Sequence, residues 1–388
     1  MNSLGHLRIL DLTRVLAGPW CTQWLADLGA DVIKIERPGT GDDTRSWGPP
    51  WLDLEDGPRA AYFQCANRNK RSVAIDLSKE EGRDLVRKIA ATSDVVIDNF
   101  RRGTMEKWGL DRTSLGNPRL VTCSIAGFSK DGAWADRPGY DLLIQGMGGV
   151  MSITGDPDGP PTKTGVAVAD LMTGMYASTA ILAALSHRDR TGEGQHIDLS
   201  LFDTQLAWLA NQGQNALATG KAPTRKGNAH PNIVPYQTFQ ATDGWFNVAV
   251  GTDAQFAALA GMLGRVDWVV QHPTNADRVK HRDVLIAELS ELFAMQSREH
   301  WLEVLSAADI PCAPVLDVVE ALNHPAANAV HVQADGTRTL ANPVQFEKTP
   351  VRYDRPPPAL GQHTDEVLLT VGITSEQLAE LRSGRVIP

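Results

Sequence analysis

Positive charge is in short supply in this chain. Its 37 lysines and arginines are outnumbered by 46 aspartates and glutamates, a formal net charge of −9. That balance argues against a general nucleic-acid binder, whose footprint is basic. It leaves room for an anionic small molecule held by a local cluster of arginines. Cysteine is scarce as well: the four, Cys21, Cys65, Cys123 and Cys312, are widely spaced and form no C-x-x-C pair. Neither a zinc site nor a disulfide frame is expected, only reduced and mostly buried thiols. The opening MNSLGHLRIL lacks a signal or transit pattern, so a cytoplasmic location is expected. Also missing are a GxSxG elbow, a P-loop, an HExxH pair and an EF-hand loop, which sets aside the chemistries those motifs carry. There is no internal repeat and no low-complexity segment.

What is present describes a soluble globular protein: 42% apolar and 21% charged residues over 388 positions, enough for two or three domains. Leu7 to Val15 reads as a strand, Gly18-Pro19 opens a helix that ends near Gly29, and Asp31 to Arg37 is a second strand. Ser72 to Leu77 follows as a strand, and Ser78 with Glu81 forms an S-x-x-E capping box for the next helix. Asp94 to Phe100 and Leu120 to Phe128 are near-continuous apolar strands, as in a sheet covered on both faces. This alternation predicts an α/β fold with a doubly wound, mostly parallel, Rossmann-like sheet. The reading places a large domain over residues 1–205, a polar Gly-, Asn- and Pro-rich linker over 206–235 and a small α+β domain over 236–325. Residues 326–388 return to the large domain. The small domain opens with a hairpin across Asp243-Gly244, and Thr374…Gln377 caps the last helix.

Between Lys163 and His187 the only charged residue is Asp170. A carboxylate in apolar surroundings is costly to desolvate unless something pairs with it. As an N-cap it would accept hydrogen bonds from the helix that runs to Leu185; as a nucleophile it would stay ionised in the field of the helix start. A membrane span over Gly165 to Leu185 fits less well, since an aspartate within a span costs roughly 3 kcal/mol and small residues dilute the run.

The first strand–helix–strand unit invites a nicotinamide-cofactor reading, with Glu36 placed where a ribose-binding acid belongs. The turn before the helix, Leu16-Ala17-Gly18-Pro19, has no GxGxxG, so an oxidoreductase is a remote alternative. Arg37, Lys70-Arg71, Arg101-Arg102, Lys107 and Arg137 instead suggest a ligand with several phosphates, each cation following a strand or entering a loop.

Several long segments, in order, resemble class III (family III) CoA-transferases. They are Ala17 to Arg45, Asn67 to Leu77, Asp94 to Leu110, Arg137 to Gly149, the central stretch with its R-x-x-TGEGQ signature, and Gly361 to Leu368. The resemblance covers nearly the whole chain. It implies an interlocked homodimer, no permanently bound cofactor, and coenzyme A with its acyl-CoA as substrate beside a small carboxylic acid. It lays the catalytic aspartate on Asp170 and CoA contacts on Val15, Leu16, Ala17, Arg37, Ile75, Asn99, Phe100, Lys107, Arg137 and Tyr140. Members with His and Gln in the first turn differ from Arg14 and Leu16 here, and Lys107 stands where some relatives carry Arg. The segment Gly227 to Gln237 resembles dicarboxylate-using members, which implies succinyl-CoA as donor. The resemblance also embraces α-methylacyl-CoA racemases, whose His base is replaced here by Tyr140; an isomerase is therefore the alternative. The expected reaction passes through an aspartyl anhydride and an enzyme–CoA thioester.

Overall fold

A computed structural model describes residues 2–54 and 57–388. Its main sheet holds six parallel strands: β1 (Arg8–Asp11), β2 (Asp31–Glu36), β3 (Lys70–Ala74), β4 (Val95–Asp98), β5 (Val121–Ala126) and β6 (His196–Ser200). Their spatial order is β3-β2-β1-β4-β5-β6. Ile9 of β1 faces Val32 of β2 on one side and Val95 of β4 on the other. Parallel strands need crossovers, and crossovers cover both faces, which is why strands such as Val95–Asp98 carry apolar residues on both faces. Alternate side chains point to opposite faces. Ile9, Val32 and Val95 enter one core, with α1 (Ala17–Asp27) and α4 (Val168–Thr191). Their neighbours Leu10, Ile33 and Val96 enter the other, with α2 (Glu80–Ala90), α6 (Thr364–Thr370) and α7 (Ser375–Ser383). Two shorter helices, α3 (Asp141–Met147) and α5 (Leu201–Ala207), flank α4 in sequence.

The helix α4 is long and apolar enough to cross a membrane by length and composition, but its small-residue stripe is packed in protein. Gly174, Ala177, Ser178, Ile181, Ala184 and Leu185 are buried, at the i, i+3, i+4, i+7 spacing of one helical face. Burying a branched side chain such as Ile181 contributes roughly 1.5–3 kcal/mol. The helix ends at Gly192, whose φ of 82° is the left-handed C-cap conformation.

The chain divides into two compact units, one of Met1–Val150, Lys163–Lys221 and Asn328–Pro388, the other of Met151–Thr162 and Ala222–Ala327. In the second unit, strands β7 (Tyr236–Gln240), β8 (Trp245–Ala249) and β9 (Cys312–Pro314) form an antiparallel sheet in the order β9-β8-β7. Phe239, Phe246, Phe293 and Trp301 are at its core. The segment Met151–Thr162 joins this unit through Arg225, whose guanidinium donates to the carbonyls of Asp156 and Gly159.

Several local expectations are corrected. β1 stops at Asp11 because Thr13 turns back, its N–H and hydroxyl both donating to the Asp11 carboxylate. The Ser78…Glu81 capping box does not form, since the Ser78 hydroxyl donates to Asp76 and α2 starts after Lys79. The expected linker contains a helix, Ala210–Thr219. α4 starts at Val168, so Asp170 is in its first turn and is not its N-cap. A hairpin, Trp51–Leu54 with Gly57–Ala60, was not anticipated.

Two fully buried ion pairs lie beneath the turn that follows β1: Lys34–Asp42 at 2.9 Å and Lys70–Asp11 at 3.2 Å. Lys34 also donates to the Thr13 carbonyl at 2.7 Å, and Asp42 accepts from the N–H of Val15 and from Thr44. Burial raises the Asp42 carboxyl, but Lys34 and the Thr44 hydrogen bonds outweigh it and hold it at about 2. Burial brings the Lys70 ammonium down to about 8, against the opposing pull of Asp11. Because the Asp42 pKa is depressed on folding, its contribution is present above the unfolded value of 3.8 and lost as pH falls through about 2. Asp42→Asn, which leaves Lys34 short of its partner, should therefore destabilise the protein by about 3–5 kcal/mol. Denaturant unfolding at pH 7 tests this; an unchanged midpoint would contradict it, and the acid-induced loss between pH 4 and 2 should be smaller in the variant.

Candidate active site

Strand order reverses direction between β1 and β4, and a crevice opens there beyond their carboxyl ends, as open α/β sheets provide. Asn99, one residue past β4, clamps the turn past β1: its Oδ1 accepts from the Arg14 N–H and its Nδ2 donates to the Arg14 carbonyl. Val15, held next to Asp42, has a φ of 72°. A β-branched residue in the left-handed region is strained by on the order of 1–3 kcal/mol and persists only where its surroundings fix it. This turn delivers Leu16 and Ala17 to the start of α1.

α4 meets α1 without an intervening side chain, since a Cβ on Gly174 would lie 2.6 Å from the Ala17 carbonyl oxygen. Gly174 is one helical turn past Asp170, so this contact seats Asp170 beside the head of α1. On the other side, Gly127, just past β5, and Gly139 approach so closely that a Cβ on Gly127 would lie 2.5 Å from the Gly139 nitrogen. That approach brings the loop Arg137 to Tyr140 to the cleft, with the Arg137 guanidinium 3.9 Å from the centre of the Trp134 ring.

The resulting cleft has a volume of ≈ 510 Å³ and is lined by eight of the eleven residues singled out from the sequence: Val15, Leu16, Ala17, Asn99, Phe100, Arg137, Tyr140 and Asp170. Arg37 and Ile75 line a second cavity of ≈ 270 Å³ at the ends of β1, β2 and β3. The two cavities share Arg14 and Phe100. Lys107 is exposed on the turn Thr104–Lys107 and lines neither.

The suggested phosphate cluster is only partly brought together. Lys70 and Arg71 are buried within β3, Lys70 on Asp11 and Arg71 on Asp31 and Glu366. Arg102 lines the cleft but is spent on Asp198 and the carbonyls of Phe128 and Ala135. Glu36 is unavailable to a ribose, because its carboxylate accepts from Arg45, Ser72 and the Asp42 N–H. The nicotinamide reading fails on that saturation.

Asp170, half-buried at the cleft, differs from the fully buried acids. Among the described residues none hydrogen-bonds to its carboxylate. Burial, and secondarily the charge of Asp141, push it up to about 7. The cap expected of Asp170 comes from Asp141 at the head of α3, whose Oδ1 accepts from the Ala169 N–H at 2.9 Å while Oδ2 accepts from Gln145. Sequence reading missed Asp141: an acid opening a helix was visible, but not that it serves a helix 28 positions away. Half-buried Tyr62 lines neither cavity; its hydroxyl is pushed up to about 12 by burial first, then by Cys65 and by Asp170, Asp141 and Asp42.

The cleft therefore combines a switch-point position in a parallel α/β sheet, several arginines in its lining, and one carboxylate with no hydrogen-bond partner among the described residues. Residues 4–364 match CoA-transferase family III. The chain is 46% identical over 381 residues to the succinate–glutarate CoA-transferase of Agrobacterium fabrum, covering 94% of each. It is 39% identical over 389 residues to the succinyl-CoA:glutarate CoA-transferase of Mus musculus, covering 96% of this chain and 87% of that one. A CAIB/BAIF family protein from Brucella suis is similar in structure, with a TM-score of 0.87, 45% identity, and coverage of 96% of this chain and 100% of that one. The chain belongs to CoA-transferase family III, and it is an enzyme that transfers CoA.

An acid whose pKa rises on folding destabilises the fold wherever the unfolded chain would hold it ionised. Asp170→Asn should therefore melt higher than the wild type at pH 8, by on the order of 2 °C. The advantage should shrink as pH falls through about 7 and vanish near 3.8, the unfolded value. Thermal melts across pH test this, and a variant less stable at pH 8 would contradict it.

Proposed function

We propose that the enzyme moves CoA from an acyl-CoA, succinyl-CoA by preference, to a short dicarboxylic acid, with Asp170 as the nucleophile. The observation that carries this reading is the Asp170 carboxylate itself, which lines the cleft and has neither oxygen engaged by any of the described residues. Desolvation makes it more basic than an ordinary carboxylate, with a pKa about 7, and hence a better nucleophile at neutral pH. Asp170 attacks the thioester carbonyl and expels CoA thiolate, giving a mixed anhydride. The thiolate attacks the aspartyl carbonyl, releasing the donor acid and leaving CoA on Asp170 as a thioester. The acceptor carboxylate then attacks that carbonyl and expels thiolate. Thiolate attack on the acceptor's acyl carbon frees the new thioester and restores Asp170. Each anhydride is open to hydrolysis, so the half-buried setting of Asp170 also protects the intermediate.

In this assignment the acyl and pantetheine end of CoA occupies the cleft lined by Val15, Leu16, Ala17, Asn99, Phe100, Arg137 and Tyr140. The nucleotide end reaches the smaller cavity with Arg37 and Ile75. Lys107 keeps a peripheral role, as a point charge at the exposed rim. The dicarboxylate preference follows the names of the relatives that use glutarate. A homodimer fits the apolar surface that the described chain leaves exposed, including Leu142, Leu143, Met147, Tyr176, Leu206 and Trp208. Four free cysteines fit a reducing, cytoplasmic setting.

Asp170→Ala should fold and lose transfer by at least about 10⁴-fold, as removal of a covalent nucleophile does. In the wild type, kcat/KM for the acyl-CoA should rise with pH and level off above about 7 as Asp170 ionises in the free enzyme. Turnover should require a carboxylic acid acceptor. Deuterium entering the α carbon of a 2-methylacyl-CoA with no acceptor present would overturn the reading in favour of proton exchange.

A further inference from the structure

Arg14 has hydrogen-bonding capacity that the fold does not use. Among the described residues only Arg14 and Phe100 line both cavities, and the Arg14 backbone is fixed on both sides by Asn99. Its guanidinium lies 5.8 Å from the centre of the Phe100 ring, and its Nε is buried without a partner. Its one ion pair among the described residues, Nη1 to Asp43, is long at 3.4 Å. Asp43 is itself shared, its other oxygen accepting from Arg37. Two guanidiniums on one carboxylate leave one positive charge over.

The geometry points to Arg14 as the residue that recognises the remote carboxylate of a dicarboxylic acyl group, and so sets the preference for dicarboxylates over monocarboxylates. This rests on the transferase reading above. Of the two arginines on Asp43, Arg37 lines the smaller cavity, whereas Arg14 also lines the cleft that contains Asp170. The other cleft cations are placed differently: Arg102 is held by Asp198, Arg137 lies over Trp134, and Arg101 is exposed at the rim. The Nε–H and Nη–H edge of a guanidinium is a planar fork that matches a carboxylate in two parallel hydrogen bonds. A dicarboxylic acyl group fills that fork. An acyl chain ending in methyl leaves the buried Nε–H empty, the situation in which a binding site discriminates most strongly.

The test compares succinyl-CoA with butyryl-CoA as donors and glutarate with pentanoate as acceptors, in wild type, Arg14→Gln and Arg14→Lys. In a double-displacement reaction kcat/KM for each substrate reports its own half-reaction. Arg14→Gln should lower kcat/KM for succinyl-CoA and for glutarate by about 100-fold, the scale for losing a desolvated charge contact. Most of that loss should be in KM. The values for butyryl-CoA and pentanoate should stay at their wild-type level, however low, and CoA affinity by calorimetry should be unchanged. Arg14→Lys, which keeps the charge but not the fork, should fall between, and it carries the test if the Gln variant does not fold. Equal losses for both members of each pair, or a matching fall in CoA affinity, would overturn the inference. A wild type that transfers CoA from neither donor to either acid would defeat the transferase reading itself.

Discussion

Four buried charges under the turn after β1 hold the site in shape. Lys34 with Asp42 and Lys70 with Asp11 are removed from water, and neither pair would survive in apolar protein without its partner. What they gain is a backbone that no local propensity would choose. Thr13 is fastened to Asp11 and Lys34, and Val15 is kept at positive φ against Asp42. The position of Ala17, and hence of the close contact at Gly174, follows from that turn. A buried ion pair is weak evidence of net stability, since matched apolar groups often do as well. Here its use is geometric.

A second division of labour concerns the two acids at the head of α4. One helix start offers orphan N–H groups, and a carboxylate in the first turn would ordinarily be drawn to them. Asp141 satisfies the Ala169 N–H from another helix. Asp170 is thereby left unpaired, poorly solvated and close to a like charge, and all three conditions raise its basicity. Burial of Asp170 without a partner costs stability, and under the proposed mechanism that cost is the source of its reactivity.

Much of this was legible in the sequence, for identifiable reasons. Most of the sheet could be read because its central strands are largely apolar, although the polar edge strand His196–Ser200 was not anticipated, and the helix capped by Thr374 and Gln377 could be read because its signal is local. Asp170 stood out because it is the lone charge in an apolar stretch. The misreadings have a common cause. Lys70 and Arg71 look like surface cations until Asp11, Asp31 and Glu366 are brought to them from distant positions. Ser78 looks like a cap until Asp76 takes its hydroxyl. Asp141 and the free Nε of Arg14 acquire meaning only from groups across the fold. Periodicity and spacing report what a residue does to its own segment, while the site is made by pairings between segments.

The measurement that bears most directly on Asp170 is chemical trapping. Incubating the wild type with succinyl-CoA and hydroxylamine, then mapping peptides by mass spectrometry, should convert Asp170 to a hydroxamate, because both the anhydride and the CoA thioester are acyl donors at its side-chain carbonyl. An unmodified Asp170 peptide during active turnover, or a hydroxamate on any other acid, would contradict the account.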